Sequence, residues 1–264
     1  MNTPALARHA AGSPELLTQV RGDGYVVIPG AIPAVLLAQI RERWDALFAS
    51  DAAETRAQGR HIEVKRILER DPVIAALMDL PTVFPLARNL IGADVTLASG
   101  GEGDCRPPRT PAHIGWHSDF QWMVDVPYPR QNSWVRCTYL IEDVAEDMGP
   151  FTLLPGTHRS DGPPPADCNG PDGQPRELPG MVRITGRGGD CLVNDTEIWH
   201  TATPNRSDRP RKLVMVLYKH AWMRPWDDGY AITSAFAEVQ TDPLRRQLCG
   251  CGHWHRTDGR WAAA

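Results

Sequence analysis

The sequence predicts a mainly β protein in which two sheets face each other and helices near the N-terminus pack on one of them. Short apolar runs bounded by Gly, Pro, Asp or Asn recur from about residue 95 to residue 220, a pattern typical of a sandwich or barrel. Helical spacing of apolar residues is confined to the first third of the chain. The 23 glycines and 24 prolines argue against a helical bundle. We expect a single domain over residues 1–264, with its core in about 20–220.

The N-terminal elements follow in order. "GYVVIPG" (24–30) is a short β-branched run closed by Pro-Gly and predicts a strand. The next stretch, "AVLLAQIRERWDALFA", has apolar residues at helical spacing and predicts an amphipathic helix. A second helical stretch over 73–92 is interrupted at Pro81 and Pro85, which favours two short helices.

Short strands are predicted in the rest of the core. They are "DVTLAS", "HIGWHSDF", "SWVRCTYLI", "GPFTLLPG", "MVRITG", "GDCLVND" and "RKLVMVLYKHAW". Residues 159–180 are rich in Pro and Gly without periodicity and predict a long loop or lid. Residues 221–264 form a separate C-terminal segment of the same domain.

The overall charge and composition of the chain limit the classes of partner that it is expected to bind. A net charge of −4 and a pI near 6.1, with no block of like charges, favour neither nucleic acid nor an anionic membrane as a partner. The absence of a signal-peptide core or membrane-length apolar run makes the cytoplasm the expected location. There the six cysteines are expected to be free thiols. A small-molecule substrate is the expected partner, and the oligomeric state is not readable.

The stretch "GWHSDF" (115–120) carries the first functional signal. His117 and Asp119 stand two positions apart, so an extended chain points both side chains to one face. His200, far along the chain, is the third candidate ligand. Two histidines and one carboxylate bind ferrous iron on one face in non-haem oxygenases, and a hydrolytic zinc site uses the same ligands. The residues alone leave both metals open.

Arg211 adds a second signal. It begins the strand "KLVMVLY" eleven residues after His200. A guanidinium holds a carboxylate in bidentate fashion, which suggests a dicarboxylate co-substrate whose other end chelates the metal. An interstrand ion pair would explain Arg211 equally, and Arg209 is a competing candidate.

Three stretches together resemble the phytanoyl-CoA dioxygenase family: "GWHSDF", "VRCTYLIEDVAEDMGPFTLLPGTHR" and "GDCLVNDTEIWHTATPNRSDRPRKLVMVLY". The opening "GDGYVVIPGAIP" resembles the N-terminus of the family, so the resemblance covers about residues 20–220. It implies a double-stranded β-helix (jelly-roll) core. It also implies a non-haem dioxygenase that uses Fe(II), 2-oxoglutarate and O₂.

Residue by residue, the resemblance implies that His117, Asp119 and His200 are the catalytic metal ligands. It implies that Arg211 binds the distal carboxylate of 2-oxoglutarate and that Thr138 is a further co-substrate contact. With the carboxylate present at the ligand position, halogenation is not expected.

One position departs from the family pattern. Ala202 stands two residues past the distal histidine, where relatives often have Ser. A hydroxyl contact to the co-substrate is then absent or supplied by Thr201 or Thr203.

The substrate is expected to be a small oxygenated molecule. Tryptophans cluster near the motifs and suit a ring or sugar face, although core packing explains most of them. The candidate substrate contacts are Gln121, Trp122, Arg130 and Trp134. No basic cluster marks a coenzyme A site. We therefore expect hydroxylation or oxidative ring formation on a specialised-metabolite or glycosylated natural-product intermediate.

Two other functional classes remain open: a non-catalytic jelly-roll protein that binds a small molecule, and a zinc-dependent hydrolase with the same three ligands. Among the other signals, His61 and His113 show no partner pattern. The glycines of "SGGEGD" are not followed by a helix, so a phosphate-binding loop is not expected.

Overall fold

The computed structural model of the protein describes residues 6–119, 134–225 and 229–251, and the backbone of 254–257 and 260–263. The α-helices in these ranges are α1 (Glu15–Asp23), α2 (Ala34–Phe48), α3 (Ile67–Arg70), α4 (Pro72–Ala75), α5 (Phe84–Ile91), α6 (Ser234–Glu238) and α7 (Pro243–Leu248). The first five, α1 to α5, all lie within the first 91 residues, as the apolar spacing predicts.

The strands of the first half are β1 (Tyr25–Ile28), β2 (Glu54–Arg56), β3 (His61–Lys65), β4 (Val95–Leu97), β5 (Glu102–Arg106) and β6 (Trp134–Leu140). Those of the second half are β7 (Phe151–Leu153), β8 (Val182–Arg183), β9 (Cys191–Asp195), β10 (His200–Ala202), β11 (Arg211–His220), β12 (Trp254–Thr257) and β13 (Arg260–Ala263).

Two antiparallel sheets form the core. The large sheet has the order β1-β9-β6-β11-β5-β3-β2, and β4 also pairs with β11. The small sheet has the order β10-β7-β8. Strands distant in sequence are neighbours in both sheets, which confirms the predicted jelly-roll core.

The large sheet separates an apolar face from a polar one. On β6, Val135, Cys137 and Tyr139 pack in the main hydrophobic core with the N-terminal helices. The alternate residues, such as Arg136 and Thr138, point to the space between the sheets because side chains alternate along a strand. The predicted helical layer on one sheet is therefore confirmed, and the interior between the sheets is left for polar groups.

The predicted helix after the first strand is confirmed as α2, which buries Leu37, Ile40 and Trp44. Of the two prolines predicted to interrupt the next helical stretch, only Pro81 lies between helices. Pro85 lies in the first turn of α5, where its missing N–H has no helical partner to lose.

Three strands of the large sheet, β2, β3 and β5, were not predicted, because charged residues or glycine interrupt any continuous apolar run in them. The strands β10, β12 and β13 were not predicted either. Conversely, the described residues of "HIGWHSDF" (113–119) do not form a regular strand. They contribute a single bridge, in which the backbone of His117 pairs with that of His200.

Residues 159–180 contain no strand or α-helix. They start at the end of a 3₁₀ turn, Thr157–Arg159, and include a second such turn at Ala166–Cys168 and a bridge between Asn169 and Pro175. Asn169 fastens this segment to the HxD region, since its side chain accepts from the Trp116 backbone N–H and donates to its carbonyl. A lid role stays a prediction. On the other side of the molecule, α7 is tied to the helical layer by two hydrogen bonds between Arg245 and Asp79.

All six cysteines are free thiols, as expected. In the described part of the chain no single helix is long and apolar enough to cross a membrane. The segments 72–79 and 84–91 pass that test together only as a pair bent by 48°.

The packing between the helical layer and the sheet predicts a large effect of truncation at Leu77, which is fully buried in the main core. Leu77→Ala should lower the free energy of unfolding by about 2–5 kcal/mol, because the cavity left behind relaxes only partly. Urea denaturation measures the change. Val35→Ala, at a position 75% exposed, should change it by no more than about 0.5 kcal/mol. Equal effects of the two substitutions would contradict the assigned packing.

Candidate metal centre

Three potential ligands from distant parts of the chain meet between the two sheets. One ligand atom from each of His117, Asp119 and His200 lies within 4.8 Å of the others, and all three residues are buried. His200 begins β10, and reciprocal backbone hydrogen bonds of 3.0 and 2.8 Å join it to His117. The predicted metal ligands are therefore brought together by this bridge.

Backbone carbonyls orient both imidazoles. The Nδ1 of His117 lies 2.8 Å from the Gly115 carbonyl oxygen, and the Nδ1 of His200 lies 2.8 Å from that of Ile198. A carbonyl can only accept, so each Nδ1 carries the proton and each Nε2 presents a lone pair to the site. Burial, together with His200, lowers the pKa of His117 to about 3, which keeps this ring neutral. Neutral imidazole is the form that binds metals.

The separations suit a divalent cation. The Asp119 Oδ1 lies 3.8 Å from the Nε2 of His117 and 3.4 Å from the Nε2 of His200. Ligands that each lie about 2.1 Å from one ion are about 3–4 Å apart. Two imidazole nitrogens and one carboxylate oxygen on one side of the ion leave further coordination positions open toward the cavity.

Arg136, on β6, holds the other carboxylate oxygen and was missed by the sequence analysis. Its Nη2 donates to the Asp119 Oδ2, and its Nη1 lies 3.2 Å from the His200 Nε2. Burial alone would raise the pKa of Asp119, but Arg136 and His200 outweigh it and hold this pKa below its usual value. Asp119 thus stays ionised, with Oδ1 turned toward both imidazoles. The signal in the sequence was a charged residue inside an otherwise apolar strand.

The ligands open onto a cavity of about 520 Å³, within the range of small-molecule sites. Its wall mixes charged and apolar side chains from both sheets: Arg56, His61, Glu63, Lys65, Ser99, Glu102, Asp104, His113, Ile114, Arg136, Phe151, Thr201, Ala202, Arg211, Leu213, Met215, Leu217 and Tyr230. The Phe151 ring stacks on the His200 imidazole with 4.9 Å between ring centroids, and this contact helps to fix the orientation of the imidazole.

Arg211 lies on the wall of this cavity, whereas Arg209 does not line it. The Arg211 Nη1 donates to the Gly149 carbonyl at 2.6 Å, and its Nη2 donates to Asp104. Gly149 has φ +68°, and a Cβ there would lie 2.6 Å from the Thr203 carbonyl oxygen, so the position requires glycine.

The other predicted co-substrate positions are close to the cavity. Thr138 is on the inward face of β6, and its buried hydroxyl has no partner among the described residues. Ala202 lines the cavity with a methyl group. The hydroxyls of Thr201 and Thr203 donate to backbone carbonyls at 2.9 and 3.3 Å, so neither donor is free for a ligand.

The predicted substrate contacts are only partly visible. Gln121, Trp122 and Arg130 lie outside the described residues. Trp134 is 1% exposed and packs against Ala98 and Leu217, rather than on the cavity wall.

A second polar cluster on the wall was also missed. His61 lies 2.8 Å from Asp104 and stacks on His113 with 4.7 Å between ring centroids. Glu63 accepts a hydrogen bond from the Tyr230 hydroxyl at 2.7 Å. These residues lie on the unpredicted strands β3 and β5 and in loops. The one signal in the sequence was the charged residue at every second position, which indicates a polar face pointing inward.

The comparisons with known proteins agree with this geometry. The family model described as phytanoyl-CoA dioxygenase (PhyH) matches residues 20–213. An ectoine dioxygenase of Bordetella parapertussis is 28% identical over 224 residues, covering 74% of this chain and 71% of that protein.

Solved structures with the same fold include two complexes. One is the epimerase SnoN with Fe³⁺, α-ketoglutarate and nogalamycin RO, at TM-score 0.64 and 22% identity, covering 87% of this chain and 92% of that one. The other is HygX of Streptomyces hygroscopicus with nickel, 2-oxoglutarate and hygromycin B, at TM-score 0.65 and 16% identity, covering 81% and 90%.

Glu102 on the cavity wall predicts a pH-dependent stability. Burial, reinforced by the Asp104 charge, raises the pKa of Glu102 from 4.5 to about 8. Between these values the folded protein holds a proton that the unfolded chain releases, so this carboxyl lowers stability as the pH rises. Glu102→Gln should therefore match the wild type in free energy of unfolding at about pH 4.5 and below, and it should become progressively more stable than the wild type as the pH rises to about 8.

Urea denaturation across this pH range measures the difference. The exposed Glu42, changed to Gln, is the control and should show no growing difference. A difference between Glu102→Gln and wild type that is constant with pH would contradict the proton-binding state of the partly buried Glu102.

Proposed function

The chain belongs to the phytanoyl-CoA dioxygenase family, and from this premise we propose that it oxidises a C–H bond of a small oxygenated molecule with Fe(II), 2-oxoglutarate and O₂. The observation that carries the proposal is the convergence of two imidazoles and one carboxylate beside an arginine-lined cavity. Hydroxylation and oxidative ring formation are both compatible with this chemistry.

His117, Asp119 and His200 would hold the iron, and their donor set fits it. When bound with its co-substrate, iron supplies the oxidising chemistry that protein side chains lack. The contribution of the chain is to fix the ligands. Arg136 keeps the carboxylate ionised and turned inward, and the two backbone carbonyls keep each Nε2 unprotonated.

Arg211 supports a 2-oxoglutarate site. Its guanidinium is buried on the cavity wall, between the Gly149 carbonyl and Asp104. A guanidinium keeps its charge when buried and offers its donors in a planar fork, so it suits one carboxylate of a dicarboxylate. We propose that Thr138, on the inward face of the neighbouring strand β6, contacts the same co-substrate.

The wall chemistry supports a polar substrate. Glu63, Glu102 and Tyr230 lie on the wall together with the apolar side chains of Met215 and Leu217. Such a mixture suits a molecule with several polar groups on a carbon frame better than a fatty acyl chain. SnoN and HygX were solved with nogalamycin RO and hygromycin B, which supports a specialised metabolite as the substrate class. Gln121, Trp122 and Arg130 remain proposed entrance contacts, and the six free thiols support the cytoplasm as the location.

The two other classes have less support. A zinc hydrolase would use the same three ligands but has no need of a buried arginine suited to a dicarboxylate. A non-catalytic binding protein was suggested by Ala202 alone, and the complete set of ligand atoms favours a working metal site.

Loss of a ligand tests the assignment. Metal-free protein given Fe(II) and 2-oxoglutarate without oxygen should develop a weak visible charge-transfer band. His117→Ala and Asp119→Ala should abolish the band, because each removes one of three ligand atoms. Absorption spectroscopy measures it, and His220→Ala is the matched control, since His220 pairs with Asp94 away from the cavity.

A band that survives both ligand substitutions would refute the metal site. Oxygen-dependent formation of succinate by the wild type would exclude the binding protein and the hydrolase. Turnover of an ester or amide with zinc and without oxygen would favour the hydrolase instead.

A further inference from the structure

Two arginines lie side by side on neighbouring strands, and one of them, Arg211, lines the cavity. Arg106 on β5 and Arg211 on β11 are direct partners in the antiparallel register, so both side chains point to the same face. Arg106 is 0% exposed and Arg211 is 2% exposed. Two like charges directly opposite each other and shielded from water destabilise a sheet unless an anion compensates them.

The compensation from the protein is incomplete. Asp104 is the carboxylate that pairs with Arg211, and it also lies 2.8 Å from His61. Arg106 donates through Nη2 to the Nδ1 of His113. Burial, together with Arg106, lowers the pKa of His113 to about 2, so this acceptor is neutral and brings no negative charge.

Several buried guanidinium N–H donors lack an acceptor, which favours a ligand that has more than one oxygen atom. The Nε and Nη1 of Arg106 and the Nε of Arg211 have no acceptor among the described residues. Leaving a buried charged donor unsatisfied costs more than an ordinary hydrogen bond contributes. The oxygens of a carboxylate can each accept more than one hydrogen bond, so one carboxylate could accept from both guanidinium groups, and its charge would offset their positive charge.

We propose that Arg106 is a second anchor for the distal carboxylate of 2-oxoglutarate, acting together with Arg211. This rests on the proposed function. Arg211 is on the cavity wall, and Arg106 lies behind it against His113, which also lines the cavity. A carboxylate held beside these two arginines leaves the rest of the molecule to extend toward the metal ligands.

The hydroxyls near the distal histidine do not compete with the arginines for a carboxylate. Ala202 has no hydroxyl, and the hydroxyls of Thr201 and Thr203 donate to backbone carbonyls. Among the described residues, unpartnered buried donors remain on Arg106, Arg211 and Thr138.

A comparison of two 2-oxo acids separates this role from a structural one. 2-Oxopentanoate has the same carbon chain as 2-oxoglutarate but lacks the distal carboxylate. The Fe(II)-loaded protein is titrated with each acid without oxygen, and the charge-transfer band gives each Kd. In Arg106→Gln the Kd for 2-oxoglutarate should rise at least about tenfold, because a charge-assisted hydrogen bond is lost. The Kd for 2-oxopentanoate should stay unchanged.

Arg106→Lys preserves the charge and is included in case the first variant does not fold, which circular dichroism checks. Its Kd for 2-oxoglutarate should lie between those of the wild type and Arg106→Gln, because lysine keeps the charge but lacks the planar array of donors. Arg109→Gln is the matched control: Arg109 is an exposed arginine paired with Asp208, and its replacement should alter neither Kd.

The ratio of the two Kd values decides the outcome. If every folded Arg106 variant keeps the wild-type ratio, whether both acids bind normally or both bind more weakly, Arg106 is a structural residue and the proposal is wrong. A wild type that shows no band with either acid would refute the proposed function itself, and this inference with it. A band with a selective loss for 2-oxoglutarate supports both.

Discussion

The reciprocal backbone hydrogen bonds between His117 and His200 are the constraint on which the site depends. Residues joined in this way stand directly opposite each other, so their side chains leave the sheet on the same side. The two imidazole centroids are 4.2 Å apart as a result. Asp119, two positions beyond His117, then points into the same space. Neither histidine could be a ligand with the other if this pairing shifted by one residue, because every side chain would change faces.

Alternate residues on the strands of the large sheet face opposite sides and have different roles. Their outward side chains form the apolar core with the helices, and this burial provides the main driving force for folding. Their inward side chains include Arg106, Arg136 and Arg211, along with carboxylates such as Asp104 and Glu102. Charges buried in this way lower stability unless they are paired. The charged side chains between the sheets therefore lower the stability of the fold, and the same side chains are available to bind ions and polar ligands.

Each of the three inward arginines has different hydrogen-bond partners, which indicates that the three have different roles. Arg136 neutralises a metal ligand, so its charge belongs to the metal end. Arg211 also lines the cavity and is shared between a carbonyl and Asp104. Arg106 has a neutral imidazole as its hydrogen-bond partner, and the charge of Asp104 acts on both Arg106 and Arg211. One carboxylate therefore serves two guanidinium groups in this part of the sheet.

The sequence by itself determined the local and periodic features. The helix α2, the apolar strands and the HxD motif with its distal histidine were all predictable, because propensity and alternation are properties of neighbouring residues. The strands β3 and β5 were missed, since a polar residue at every second position leaves them without the continuous apolar run that identified the other strands. Only the tertiary structure decided that Arg106 stands opposite Arg211 and that His61 lies beside Asp104. Those contacts are set by the register between strands far apart in the chain, and register depends on how the whole sheet closes around its core.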